Sequence, residues 1–154
     1  MNSYRKFVPT GRLIALACGV GSVMSMITAS LIAVATGADI PLIAALMGKS
    51  VTTPIAMEVA SQLGGEPAIA AILVLLVGLF GAILAYPIYK LLNITHPIAR
   101  GLTMGTVSHA LGTATCAEKD PRDAAFSSLA LVVCGVITSV LAPTLFAFAL
   151  WLHG

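Results

Sequence analysis

Lys49, Ser50, Thr52, Thr53, Pro54 and Glu58 crowd into one short stretch, "GKSVTTPIAMEV" (48–59), in a chain with only 9% charged residues. That set could bind an anion. An ammonium supplies charge and hydroxyls donate hydrogen bonds. A helix starting at Pro54 would aim free backbone N–H groups and a positive dipole end at the same place. Inside a bilayer, a lysine costs roughly 2.5–3.5 kcal/mol on insertion scales, so Lys49 needs a partner. A carboxylate ligand is one solution. Pairing with Glu58 or Asp39, or snorkelling to an interface, are others. Ser50, Thr52 and Thr53 could donate to a ligand, cap the following helix, or do both. Glu58 could couple a proton or serve as the partner of Lys49.

A second stretch, "GLTMGTVSHALGTATCAE" (101–118), mixes glycines with hydroxyls and holds one ionisable group before Glu118, namely His109. Imidazole titrates near neutrality and could relay protons, although a lone histidine among small residues is also a common packed group. Ser108, Gly112 and Thr113 complete the candidate lining. Ser108 and His109 are adjacent, and neighbouring side chains on a helix diverge, so they do not form a nucleophile and its base. With no Ser-His-Asp set, phosphate loop or metal-ligand spacing, an enzyme, a cofactor and a bound metal are not expected. Cys18, Cys116 and Cys134 are far apart and lack any CxxC pattern, which suits small buried hydrophobes.

The elements that must position these residues are membrane helices. The chain has 154 residues, 58% hydrophobic, with mean hydropathy +1.02. That leaves too little polar surface for a water-exposed globule, which carries about a quarter charged residues. A net charge of +2 gives no basis for nucleic-acid binding. Spans are expected at about 13–38, 67–89 and 124–152, each near or above the ~20 residues a spanning helix needs. The N-terminal 1–12, with Arg5, Lys6 and Arg12, is expected in the cytoplasm. The first apolar run is far longer than a signal-peptide core of ~7–15 residues and is read as a retained span.

Segments 40–64 and 101–118 are of another kind: apolar enough for a membrane, yet broken by proline, glycine and hydroxyls. Pro41–Gly48 reads as one short arm. Residues 54–63 read as a second, stopped by Gly64-Gly65, and ten residues rise about 15 Å, half of a ~30 Å hydrocarbon core. The chain is therefore expected to be an all-α integral membrane protein, a single membrane domain with about three full transmembrane helices and two broken or re-entrant segments. Hairpins fit the charge distribution better than crossings, because they keep Arg5, Lys6, Arg12, Lys90, Arg100, Lys119 and Arg122 on one side. They would enter from opposite faces. A loose repeat with an offset near 57 residues pairs Glu66, Gly78 and Pro87 with Asp123, Gly135 and Pro143. Paired half-structures of this sort occur in secondary transporters.

At "KSVTTPIAMEV", "GTVSHALGTATCAE" and "AFSSLALVVCGVITSVLAP" the sequence resembles the LrgB/CidB family of bacterial membrane proteins, over essentially residues 12–153. The resemblance implies a multi-pass protein of the bacterial cytoplasmic (inner) membrane, within LrgA/LrgB-type systems. These are described as holin-like and antiholin-like regulators of murein hydrolase export and autolysis. It also implies transport. Related systems are similar to carriers of small monocarboxylates such as pyruvate, and the plastid glycolate/glycerate translocator looks like an LrgA–LrgB fusion. The implied partners are a small LrgA/CidA-type membrane protein, the lipid bilayer, further copies of the chain and a small-molecule anion. The family's usual N-terminal third, with another proline-containing motif, has no counterpart here, so a truncated or short form is expected.

Overall fold

The computed structural model describes residues 4–153; residues 1–3 of the expected cytoplasmic segment lie outside the described residues. Seven helices follow in order: α1 Tyr4–Ala35, α2 Ile40–Leu46, α3 Thr53–Gln62, α4 Pro67–Leu91, α5 Pro97–Val107, α6 His109–Lys119 and α7 Pro121–His153. Three stretches are long and apolar enough to cross a membrane: Gly11–Ala35, Pro67–Leu91 and Pro121–His153. They match the three expected spans with small shifts at the ends. The chain is an all-α membrane protein.

The helix boundaries follow local chemistry. Pro41, Pro54, Pro67 and Pro97 sit in the first turns of α2, α3, α4 and α5, where a missing N–H costs nothing. Asp39 caps α2 through its carboxylate, and His96 caps α5 through Nδ1. Gly64 ends α3 in the left-handed region, φ +79°. The Gly65 N–H then reaches back to the Ala60 carbonyl at 2.8 Å, the Schellman closure expected of Gly64-Gly65. Asn93, at φ +55°, ends α4 in the same way, with Ile94 N–H bonded to the Tyr89 carbonyl.

Both unusual segments are hairpins. In the first, α2 enters, turns at 47–52, and α3 returns beside it. A Cβ on Gly48 would meet the Ala56 backbone at 2.7 Å, and one on Gly65 would meet Ala44 Cβ at 2.8 Å and the Pro41 carbonyl at 2.9 Å. Residues 41 and 65 are thus neighbours at the same end. In the second, α5 and α6 meet at Ser108–His109 with no intervening loop, the reversal being taken up by His109 at φ +42°. Their far ends are joined by Arg100 and Asp120. Helix α2 has seven residues, while α3, α5 and α6 have 10 or 11 and rise about 15–17 Å, roughly half of a ~30 Å hydrocarbon core.

The hairpins enter from opposite ends. Helices α1 and α7 run parallel: Ile14 and Cys18 pack with Ala130 and Cys134, while Ala33 packs with Phe146 and Ala149. Helix α4 runs the other way, since Tyr86 near its C-terminus meets Asp123 at the start of α7. One end of the protein therefore carries Arg12, Lys90, Arg100, Lys119 and Arg122, and the other carries Asp39 and Glu66. A hairpin followed by a span occurs twice, in opposite senses. The paired glycines do equivalent work: Gly78 of α4 lies against His109, and Gly135 of α7 lies against Ile55 at the start of α3.

Candidate functional site

The site builds from the tip of the first hairpin. Lys49 Nζ donates to Ser25 Oγ at 2.5 Å and to Ser50 Oγ at 3.1 Å, and the two hydroxyls share a bond of 2.9 Å. Ser25 comes from the middle of α1. Among the described residues no carboxylate lies within 4 Å of the Lys49 ammonium. Glu58 bonds to Gln62 at 2.9 Å on the exposed side of α3, and Asp39 caps α2, so neither sequence-expected counter-ion is used. An ammonium has three donors, and hydroxyls satisfy two of them without neutralising its charge.

Thr52 occupies the N-cap position of α3, but its side chain makes no capping hydrogen bond. This corrects the capping role expected for Thr52. The side chain instead lines a cavity of about 390 Å³ against α7, with Ile55, Gly135 and Ser139. The α3 N-terminus is left without a side-chain cap, one turn from Lys49. Thr53 opens the helix, and Pro54 lies with Glu58 beside a second groove of about 320 Å³ towards the outer end of α3. The candidates of the first stretch therefore divide: Lys49 and Ser50 face α1, whereas Thr52, Pro54 and Glu58 face α7 or the surface.

Ser108 and His109 form the tip of the second hairpin, both buried. His109 Nε2 lies 2.8 Å from the Val74 carbonyl, and Ser108 packs on Gly81, two turns further along α4. They point apart. Gly112 packs on Ser108 and the Met104 carbonyl. Thr113 donates to the His109 carbonyl and shares a 2.7 Å bond with Ser127 of α7. These four residues build the hairpin and do not surround Lys49. The two tips still converge. On α1, Gly21 faces Thr106 of the second hairpin and Ser25 faces Lys49, one turn away. On α4, Val74 packs with Val51 and accepts from or lies against His109.

Three groups of residues escaped the sequence reading. Ser22 and Ser25 were hidden in a run read only as a span, although their i, i+3 spacing puts them on one helix face. Arg100, Asp120, Asp123 and Tyr86 form a network at the base of the second hairpin. Arg100 meets Asp123 at 2.9 Å and Asp120 at 3.2 Å, and the Tyr86 hydroxyl donates to Asp123 at 2.8 Å. Asp123 is fully buried. Asp120, between α6 and α7, has its carboxyl held below the usual range by hydrogen bonds from Arg122. Its position at the start of a span was the available signal. Cys18 and Cys134 meet across α1 and α7, with the Cys134 thiol 3.8 Å from the Cys18 carbonyl.

The sequence pattern defining the LrgB-like family matches residues 3–148. The chain belongs to the LrgB-like family. An uncharacterized protein of Haemophilus influenzae is 44% identical over 127 residues, covering 82% of this chain and 55% of that protein. Proteins named antiholin-like protein LrgB, from Bacillus cereus and Bacillus anthracis, are 36% identical over 133 residues, 84% of this chain and 56% of theirs. The chain thus spans a little over half the length of these relatives. No solved structure matches it.

Proposed function

We propose that the chain is a membrane transport component for small organic anions, monocarboxylates such as pyruvate, glycolate or glycerate, working with an LrgA/CidA-type partner in the bacterial inner membrane. The basic end would face the cytoplasm. The observation that supports this most is Lys49, at a hairpin tip near mid-membrane, bonded to hydroxyls with no carboxylate within 4 Å. A half-buried ammonium with no carboxylate partner is unfavourable, and an entering carboxylate would supply both charge and acceptor oxygens. Opposed hairpins that stop at the midplane fit a carrier whose two faces open in turn. The relatives' name, antiholin-like protein LrgB, supports a second reading, an antiholin-like membrane protein, which the family resemblance would extend to murein hydrolase export and autolysis.

Uptake of labelled pyruvate or glycolate into proteoliposomes, with and without an LrgA-type partner, separates the two. A carrier gives saturable uptake that Lys49→Ala abolishes. Dye leakage independent of solute size and indifferent to Lys49→Ala would overturn the carrier in favour of a pore.

A further inference from the structure

Helix α1 and the residue that follows it carry several hydroxyls, and three of them are satisfied locally. Thr28, Ser30 and Thr36 donate to carbonyls four residues back, at 2.7–2.9 Å. That is the usual solution for a hydroxyl in a helix with no water nearby. Ser25 departs from it by turning to Lys49 and Ser50. Ser22 departs further: its side chain is 4% exposed and its Oγ has no hydrogen-bond partner among the described residues. An unmade hydrogen bond on a buried hydroxyl costs about 1–3 kcal/mol.

The place of that orphan is informative. Ser22 and Ser25 are three residues apart, so they are neighbours on one face, with Cβ atoms about 5–6 Å apart. On one side of Ser22, Cys18 meets Cys134 of α7 and Gly21 meets Thr106 of the second hairpin. On the other side, Ser25 meets the tip of the first. Ser22 thus lies one turn of α1 from Ser25, which bonds the Lys49 ammonium, and its own hydroxyl is unspent.

We propose that Ser22 is a specificity-determining residue of the anion site, reading an oxygen on the carbon next to the carboxylate. This presupposes the Lys49 site. Lys49 and Ser25 hold the carboxylate, and Ser22 bonds the hydroxyl or keto oxygen one carbon away. A site built to bond such an oxygen discriminates against an acid lacking it, because the hydroxyl then stays unpaired.

The test compares glycolate with acetate, by isothermal titration on the full chain in nanodiscs. Ser22→Ala should weaken glycolate about tenfold or more, leave acetate unchanged, and not lower the melting temperature, since an orphaned group is removed. Ser22→Thr, which keeps the hydroxyl, should retain the preference. Equal weakening of both acids, an unchanged ratio, or a Ser22→Ala variant that fails to fold would overturn the role of Ser22. If Lys49→Ala still loses both acids in that case, the Lys49 site stands without Ser22. Failure of the wild type to bind either acid removes both.

Discussion

The two hairpins have the same shape but are held in different places. The second is fastened at its base: Arg100 on Asp120 and Asp123, Tyr86 on Asp123, and the Tyr89 hydroxyl on the Arg100 carbonyl at 3.2 Å. Thr113 and His109 add bonds further in, to Ser127 and to Val74. The first hairpin has close packing at its base, where Gly65 seats on Ala44 and Pro41. Its polar ties to a spanning helix are at the tip, from Lys49 and Ser50 to Ser25. Lipid supplies no hydrophobic drive for helices to associate, so packing and polar ties decide what stays put. Ties at the base hold a hairpin whatever happens at its tip. Ties at the tip are made by the groups an anion would engage, so a ligand competes with them directly.

The comparison breaks most visibly at Asp123. Asp123→Ala takes the buried counter-ion from Arg100, which keeps Asp120 and is partly exposed, so the change falls towards the lower end of the roughly 3–5 kcal/mol of a broken buried pair. The second hairpin should come loose and the folded fraction in detergent should fall sharply. A melting temperature equal to that of wild type would show that the base network is not what holds the hairpin. Packing comes next. Gly65→Ala drives a methyl into Ala44 and the Pro41 carbonyl, and overpacking of this kind costs about 1–3 kcal/mol. The loss should be read at α2 and α3 by amide exchange, with α5 and α6 protected as before. Equal loosening of both hairpins would argue that they are one cooperative unit.

Lys49 gives the opposite sign. Lys49→Met replaces a half-buried charge with an apolar chain of similar length, which is neutral to stabilising when no counter-ion is left behind. Its melting temperature should match or exceed wild type while carboxylate binding disappears. A clear drop in stability would mean that Lys49 holds the first hairpin in place and that its charge is compensated within the protein.

This difference between the hairpins was only half legible in the sequence. Break positions could be read, because Pro54, Gly64 and Gly65 act through local backbone geometry that needs no tertiary knowledge. The opposed entry of the hairpins was legible through charge, since all but one of the basic residues had to share a side. Which residues meet was not legible. Ser25 reaches Lys49 across 24 positions, and nothing in the local pattern of α1 separates Ser22 and Ser25 from Thr28 and Ser30, which bond to their own helix. Thr52 shows the same limit. Its type and position predicted a cap, yet the packing of α3 on α7 turned the side chain to a groove. Glu58, the nearest carboxylate in sequence, faces away because three or four residues around a helix decide direction before charge does.

The smallest expected effect is a pH dependence confined to the base of the second hairpin. Asp120 has a depressed pKa because Arg122 hydrogen-bonds its carboxylate. A carboxyl lowered on folding adds stability that is complete above its unfolded value, about 3.9, and is lost as pH falls through the folded value. Arg122 is largely exposed and Asp120 only half-buried, so the contribution is small and screened by salt. At neutral pH, Asp120→Asn should melt slightly below wild type. The two proteins should begin to converge as pH drops below about 4 and should meet once it falls below the folded value, where wild-type Asp120 is protonated as well. High salt should shrink the gap. A gap that persists unchanged into acid would mean that Asp120 acts through packing, or through hydrogen bonds a neutral carboxyl still makes. Asp120 would then help to hold the base of the second hairpin without its charge.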